Sequence, residues 1–511
     1  MKNILKYILM LLTIATSATG AIPCDSLKNI KTGKLTERLS NITSTSLTSY
    51  RNPALRQYQY ITELSTISGY WNKELSSTTR IAQEGKGQRN LNIQVTTYSH
   101  PKTNSAVWGS ATYRKGLRYE VYLNETSDLN LIYPYYSADT IGGNMDCEKY
   151  IFNGGYAVNR GAWNFGSEMQ YISGKEYRDK DPRPKNTTLN VQFKLGASYN
   201  FHKYSIGAYL LGGKYSQDSD IAFFKPQGVS MIYLMTGLGC HYFRFKGNQT
   251  KTRYDGSFSG IGLTIAPTDR EGFNLAMTID RFHTDRQLGK SRDISINDLY
   301  NWKYKTEAAF TNRKNNYTWR ILTGFDYNKR IGESHIFDNG ETYYHNIGTM
   351  QLFNMRIKKT SLKNFNEYNT SKRFTIEINP SVVLNKIDIR HTLPYRKLLC
   401  QNIQFKVETG ARFTNKYGIL TTRAFAEYSN SIDFDLIMNE KKEEFNFLYP
   451  TIENNYAMLA SSYTSTGLQI RADIFCGSKF DSIFLKGIFS YNRYKNGAHK
   501  YYISLKTGIT F

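Results

Sequence analysis

Short runs in which apolar and polar residues strictly alternate recur along most of this chain. In the last run, the apolar face consists of Tyr501, Ile503, Leu505, Thr507, Ile509 and Phe511. Successive side chains of a β-strand point to opposite faces, so each run predicts a strand with one apolar and one polar face. The chain is therefore predicted to be all-β.

The length of the runs and their aromatic content favour a membrane barrel over a soluble sandwich. Similar alternation covers 187–201, 299–312, 316–329 and 401–414. Individual runs of 7 to 13 residues are close to the ~9–11 that cross a bilayer at a tilt. Aromatic residues often end a run, as the interfacial girdles of such barrels require. The mean hydropathy of -0.52 also argues against a membrane protein built from apolar helices.

The predicted fold is a transmembrane antiparallel up-and-down β-barrel of 14–18 strands, with 16 preferred. Nineteen segments qualify as candidate strands, including 58–66, 231–247 and 456–476. Single-chain bacterial barrels usually have an even number of strands. At least one segment is therefore a false strand, or 456–476 holds two. Long and short connections do not alternate cleanly in this list, so the sequence assigns no sidedness.

The N-terminus predicts export. Lys2 and Lys6 precede a short apolar stretch and a group of small residues, which is the pattern of a signal peptide spanning 1–20. Residues 21–57 are expected to form a periplasmic leader or short helix, with a partial plug as an alternative, and 58–511 the barrel. The expected location is the outer membrane of a Gram-negative cell. The final strand ending at Phe511 is expected to engage the barrel-assembly machinery.

Several stretches outside the alternating runs carry a family resemblance. They are 107–113, 124–128, 133–143, 152–156 and the loop motif Asp181, Pro182, Arg183 and Pro184. Together they resemble an outer-membrane β-barrel family classed as a domain of unknown function. The resemblance implies the fold and the location, and it brings no catalytic residues. The rigid loop motif is interpreted either as a constriction of the lumen or as a cap between strands.

The basic balance of the chain points to anionic partners. Its formal charge is +24, and removal of Lys2 and Lys6 with the signal peptide leaves +22. The export signal argues against nucleic acid, so outer-membrane lipids and an anionic solute are the expected partners. Charges on polar strand faces are candidates for lining the lumen: Lys194, Lys303, Lys305, Glu307, Arg320, Asp326, Lys406, Glu408, Arg412, Arg471, Asp473 and Lys506. These acids and bases either select permeating ions or neutralise one another in a packed lumen.

The residues that usually carry catalysis show no recognised pattern. The eight histidines are scattered and none has metal-ligand spacing. No cofactor is expected, and an enzyme is disfavoured. The leading hypothesis is a channel or transporter for solutes. The alternatives are a structural or interaction barrel, used for adhesion or as an anchor for partner proteins, and an outer-membrane hydrolase.

Overall fold

The computed structural model describes residues 25–45, 47–78, 81–224, 231–242, 251–289, 294–338, 345–438, 448–477 and 480–511, so the predicted signal peptide lies outside the described residues. Strands dominate, and short helices occur at Asp25–Leu39, Asn41–Ser44, Leu129–Ile132 and Leu448–Ala460. No helix in these ranges is both long and apolar enough to span a bilayer. The strands are β1 (Leu64–Ser76), β2 (Gly87–Lys102), β3 (Ser105–Val121), β4 (Tyr136–Ala138), β5 (Gly143–Arg160), β6 (Trp163–Tyr177), β7 (Arg183–Phe201), β8 (Tyr204–Ala222), β9 (Tyr233–Gly237), β10 (Cys240–His241), β11 (Lys251–Pro267), β12 (Gly272–Leu288), β13 (Ile294–Lys314), β14 (Tyr317–Phe337), β15 (Asn346–Ser371), β16 (Phe374–His391), β17 (Arg396–Thr414), β18 (Gly418–Met438), β19 (Tyr463–Phe475), β20 (Ser482–Tyr494) and β21 (His499–Thr510).

Within the described residues, eighteen of these strands form one closed antiparallel barrel. Each barrel strand pairs with the next one along the chain, and β21 pairs with β1 to close the wall. The preferred number of 16 was therefore too low, although the range of 14–18 holds. Of the candidate strand 231–247, residues 243–247 lie outside the described residues. Residues 231–242 form no barrel strand, because β9 and β10 belong to a separate small sheet with β4. Leu234 and Met235 are adjacent and both buried there, so both faces of β9 are covered.

The two faces of each barrel strand differ as the alternation predicts. On β16, the large residues Phe374, Ile378 and Leu384 are exposed on the outer wall. Their neighbours Glu377 and Asn379 are buried on the inner wall. In a soluble protein this arrangement would be inverted, with apolar side chains inside. An apolar exterior around a polar interior is the signature of a barrel embedded in lipid.

The two rims of the barrel differ in the length of their connections. One rim has two-residue turns at 103–104, 161–162, 202–203, 315–316 and 372–373, and β1 begins and β21 ends there. The opposite rim has the long connections 122–142, 223–250 and 439–462. Short turns face the periplasm and long loops the cell exterior in outer-membrane barrels. The structure therefore supplies the sidedness that the sequence did not.

An inner collar, defined as residues 31–63, lies inside the barrel near the short-turn rim. It begins beside β20, where Lys31 donates to the carbonyl oxygen of Phe480 at 2.8 Å. It then follows the inner wall and reaches β13 at Thr48 and β6 at Gln57. It ends under β2, where Tyr98 donates to the carbonyl of Arg56 at 2.8 Å. The collar thus makes a near-complete circuit of the wall before the chain enters β1.

Long connections fold over the opposite mouth of the barrel and form an outer cap. We define the cap as residues 122–142, 231–242 and 448–460. Tyr136, Ile132 and Met235 are buried in its core together with Leu448 and Ile452. The sheet β4–β9–β10 joins the first two of these connections. Segments therefore lie within the barrel at both ends.

Candidate functional site

The inner wall between the collar and the cap is the candidate functional site. All twelve charged residues proposed from the sequence to line the lumen lie on strand positions that face inward. On β7 and β17, for example, the neighbours Phe193 and Phe405 are exposed on the outer wall, whereas Lys194 and Lys406 alternate with them. The contacts of these residues, and of neighbouring charges on the inner wall, are of three kinds.

The first group anchors the collar through guanidinium groups. Arg320 of β14 donates to the carbonyl oxygen of Ile42, and Arg412 of β17 donates to that of Thr36 at 3.0 Å. Arg423 of β18, which the sequence argument missed, donates to the carbonyl of Leu39. The carbonyls of Leu39 and Ile42 lie at helix ends, where helical partners are lacking, whereas the carbonyl of Thr36 also accepts a hydrogen bond from the backbone nitrogen of Ser40 at 3.0 Å. The arginines satisfy them and fix the path of the collar.

Carboxylates on the inner wall accept hydrogen bonds from donor groups of the collar. Glu307 accepts a hydrogen bond from the backbone nitrogen of Thr48 at 2.6 Å. Glu408 accepts from the Asn41 amide at 2.9 Å, and Glu367 accepts from the Ser40 hydroxyl at 2.5 Å. A leader that merely passed through the lumen would not need such pairing. These contacts make the collar a constituent of the site.

One carboxylate of the collar itself braces the short-turn rim. Glu37 accepts hydrogen bonds from the backbone nitrogens of Ile61 and Thr62, each at 2.9 Å. Burial alone would raise the pKa of Glu37, but these bonds and the nearby Arg270 guanidinium lower it below its usual range. The charged form therefore ties the two ends of the collar together.

The cap uses the same device at the other mouth. Arg330 of β14 donates to the carbonyl of Asn130 at 3.0 Å and also to that of Tyr133. Arg286 of β12 donates to the carbonyl of Tyr136 at 3.2 Å, and Arg396 of β17 donates to that of Leu238 at 2.7 Å. Inner-wall arginines thus bind the backbone of both closing segments.

The second group consists of charges that pair along the wall. Arg471 forms a two-pronged pair with Asp473, with nitrogen–oxygen distances of 2.8 and 2.7 Å. Lys194 contacts Glu168 at 2.8 Å, and the other pairs are Lys305 with Glu307 at 3.5 Å and Lys406 with Glu408 at 3.4 Å. These residues follow the neutralising alternative that the sequence left open.

The third group consists of lysines without a carboxylate partner. Among the described residues, the side chains of Lys303, Lys359, Lys363 and Lys486 form no ion pair within 4.0 Å, and Lys506 donates to Gln94 at 3.0 Å. The charges close to Lys363 are three lysines, Lys359, Lys305 and Lys406, and one carboxylate, Glu307. Lys486 is repelled by Arg471, Arg423 and Lys506. Asp326 of β14 is directly opposite Lys305 of β13 on one side and Lys359 of β15 on the other. It is the acidic residue of this row across three strands.

The loop motif at 181–184 lies on the rim of the long loops. Arg183 contacts Asp181 at 2.7 Å, and Asp181 accepts a hydrogen bond from the backbone nitrogen of Phe224 at 2.8 Å. The Arg183 guanidinium also covers the Phe224 ring at 3.9 Å. These contacts join the β6–β7 connection to the end of β8. They favour the interpretation of the motif as a cap between strands.

Residues 124–127, part of the family resemblance, form a fully buried polar cluster in the cap. Arg178 lies 2.9 Å from Glu125 and 3.9 Å from Asp139, and both carboxylates are inaccessible to solvent. Asp139 also accepts hydrogen bonds from the backbone nitrogens of Ile141 and Gly142. Burial and the neighbouring Asp139 raise the pKa of Glu125 well above its usual range. One arginine thus serves two carboxylates.

A cavity of about 350 Å³ separates the collar from the wall near β2 and β21. Arg38, Arg56, Trp108, Arg471 and Lys506 contribute to its lining. Its cations are already engaged, since Arg56 pairs with Glu168 and Arg38 donates to the carbonyl of Thr62 at 2.8 Å. The described ranges contain no group of three histidine, cysteine or acidic side chains arranged to hold a metal ion.

Comparisons with known proteins give a family and a set of distant barrels. No curated protein matches the chain. Among solved structures, it is similar to the copper transporter OprC, with 7% identity, 87% of this chain and 80% of that chain covered, and a TM-score of 0.39. It is also similar to the outer membrane transporter YddB from Escherichia coli, with 6% identity, 87% of this chain and 81% of that chain covered, and a TM-score of 0.38. For the siderophore receptor PiuA from Acinetobacter baumannii, the identity is 7%, 88% of this chain and 82% of that chain are covered, and the TM-score is 0.38.

The family is established by a match that covers most of the chain. It begins inside the collar, at residue 53, and runs through the last strand to residue 511. It thus includes every barrel strand together with the cap. The chain belongs to the family of unknown function DUF6850.

Proposed function

We propose that this barrel carries small anionic solutes across the outer membrane. The observation that carries the proposal is the set of unpaired lysines on the inner wall, above all Lys359 and Lys363 beside Lys406. Arginines such as Arg320 and Arg396 add to the positive potential, but their guanidinium groups are held against carbonyls of the collar and cap, so the lysines are the cations left to contact a solute. The remaining lysines face an enclosed polar interior, where a field is less screened than at an open surface.

The collar and the cap define where passage is controlled. Both segments lie inside the barrel and both are held by many individual hydrogen bonds. A solute that crosses must therefore pass the collar at one end and the cap at the other. The proposal assigns attraction of the solute to the lysines and control of access to these two segments.

The test is the reversal potential of the purified protein in a planar bilayer under a salt gradient. We expect modest anion selectivity that weakens as salt rises, since the Debye length falls to about 3 Å at 1 M. Replacing both Lys359 and Lys363 by glutamine should shift selectivity towards cations. Lys358→Gln is the matched control, because this neighbour lies on the outer wall and should leave selectivity unchanged.

Two results would contradict the proposal. One is cation selectivity of the native protein, and the other is unchanged selectivity in the variant lacking Lys359 and Lys363. Stable insertion without single-channel steps would instead favour the alternative of a closed interaction barrel. Arg412 is unsuitable for this test, because its guanidinium binds the carbonyl of Thr36 and its loss would also release the collar.

A further inference from the structure

Four cations form a compact cluster on the outer wall of the barrel, which we call the outer basic patch. It consists of Lys329 on β14, Arg356 and Lys358 on β15, and Lys386 on β16. Lys329 lies directly opposite Arg356, and Lys358 lies directly opposite Lys386. All four side chains are at least partly exposed.

Both cross-strand pairs in the patch place like charges face to face. Directly opposed residues on antiparallel strands have Cβ atoms roughly 4.5–5.5 Å apart, and like charges there destabilise the sheet. Among the described residues, no carboxylate lies within 4.0 Å of any of the four. Asp388 is opposite Arg356 in register, but it is held by Arg390 at 2.8 Å. Within the described residues, the four positive charges of the patch therefore have no paired negative charge to balance them.

Two other basic positions on the outer wall are neutralised by neighbouring carboxylates. Lys115 of β3 contacts Glu148 at 3.6 Å. Arg253 of β11 contacts Asp255 at 2.8 Å and Asp218 at 3.3 Å. Lys115 lies two residues beyond Tyr113, whose ring packs against that of Tyr150. Lys329 likewise lies two residues beyond Tyr327, whose ring packs against that of Tyr304. The patch differs from these positions in lacking acids.

The height of the patch places it at the outer edge of the apolar belt. Along β16, the outward side chains are apolar from Phe374 to Leu384, and Lys386 is the next outward residue. On β14 and β15, ten residues separate the paired Tyr317 and Tyr368 from the paired Tyr327 and Lys358. At about 3.4 Å per residue and a tilt of 35–45°, that run spans roughly 25 Å of membrane. The patch thus lies at the interface on the long-loop side.

We propose that the outer basic patch binds the phosphate groups of a phosphorylated glycolipid in the outer leaflet. Each cross-strand pair flanks one phosphate, and Arg356 supplies a planar fork suited to its oxygens. Acyl chains of the same lipid lie along the apolar side chains below, such as Leu384 and Phe325. The inference requires an outer-membrane location, but it does not depend on which solute passes through the lumen.

The experiment measures lipid binding to the full-length mature protein in detergent by native mass spectrometry. The probe is diphosphorylated lipid A, with its dephosphorylated form as the lipid control. The test variant combines Lys329→Gln, Arg356→Gln, Lys358→Gln and Lys386→Gln. The matched control combines Lys115→Gln and Glu148→Gln, which removes a neutralised pair at a similar height. Unboiled gel migration checks that every variant is folded.

We expect lipid A to remain bound to the native protein and to the matched control, and to be lost from the patch variant. Lipid A should raise the unfolding midpoint of the native protein and leave that of the patch variant unchanged, because only a native-state ligand stabilises. Without lipid, the patch variant should be at least as stable as the native protein, since repulsion has been removed.

Equal lipid A binding by the native protein and the patch variant would overturn the proposal. Equal binding of phosphorylated and dephosphorylated lipid would overturn the assignment to phosphate. Competition by millimolar inorganic phosphate alone, without retention of lipid, would show a free-anion site instead. Failure of the conductance test above would leave these readouts untouched, so the two proposals fail separately.

Discussion

Single side chains hold this barrel in its described conformation, and Glu125 is one whose charge is disfavoured by burial. It is buried in the cap with Asp139, and Arg178 serves both carboxylates. Because burial and Asp139 raise the pKa of Glu125, the folded cap favours its protonated form. The contribution of that proton to stability is complete below the ordinary carboxyl pKa. It is lost as the pH rises towards the raised value.

We therefore predict that the cap loosens with rising pH. The thermal unfolding midpoint of the native protein should fall as the pH rises above the ordinary carboxyl range, because the folded cap then has to accommodate a charged Glu125. Glu125→Gln mimics the protonated carboxyl and should flatten this dependence. Glu120→Gln, at an exposed position, should retain it. Identical pH profiles for the native protein and Glu125→Gln would contradict the assignment.

At the scale of elements, the collar is the part that depends most on contacts from distant strands. Arg320 is suited to test it, because this guanidinium binds the collar carbonyl of Ile42 and the Thr311 hydroxyl without an ion pair. Its removal breaks one attachment and leaves no wall carboxylate unpaired.

We predict that Arg320→Met releases part of the collar. The buried carbonyl of Ile42 loses its donor, which costs about 1–3 kcal/mol. Limited proteolysis of the folded barrel should then cut within 31–63 faster than in the native protein, with the sites read by N-terminal sequencing. Lys329→Met, on the outer wall of the same strand, is the control. Equal cleavage rates would show that Arg320 does not hold the collar.

Elements with an alternating pattern were predictable, and elements defined by distant partners were not. Strands such as β16 and β21 follow directly from the period of two, because one face meets lipid and the other the interior. The described part of the candidate strand 231–247, residues 231–242, lies in the cap instead. The sequence also suggested inward-facing charges, yet it could not show that Arg320 binds Ile42 while Lys359 binds no carboxylate. Those assignments depend on a circuit of backbone that local patterns do not encode.

The whole molecule presents an apolar outer wall, and this separates a membrane barrel from a soluble one. We predict that Ile378→Lys, in the middle of the outward face of β16, lowers stability by about 2–4 kcal/mol in a bilayer. Val383→Lys, on the inner face of the same strand, should cost much less. The measurement is the midpoint of the shift between folded and unfolded gel mobility. The reverse order of the two variants would indicate a water-exposed exterior.

The position of the collar has a consequence for how the protein is assembled. Its residues precede every strand, yet its partners range from Tyr98 and Glu168 to Asp481. Joining such distant parts of a chain carries a loop-closure entropy that must be met before the contact stabilises anything. The collar therefore gains most of its contacts only after the last strands have joined the first. The collar can take its final position only when the barrel wall is complete. The segment that precedes all the strands in the sequence is therefore the last to be fixed in place.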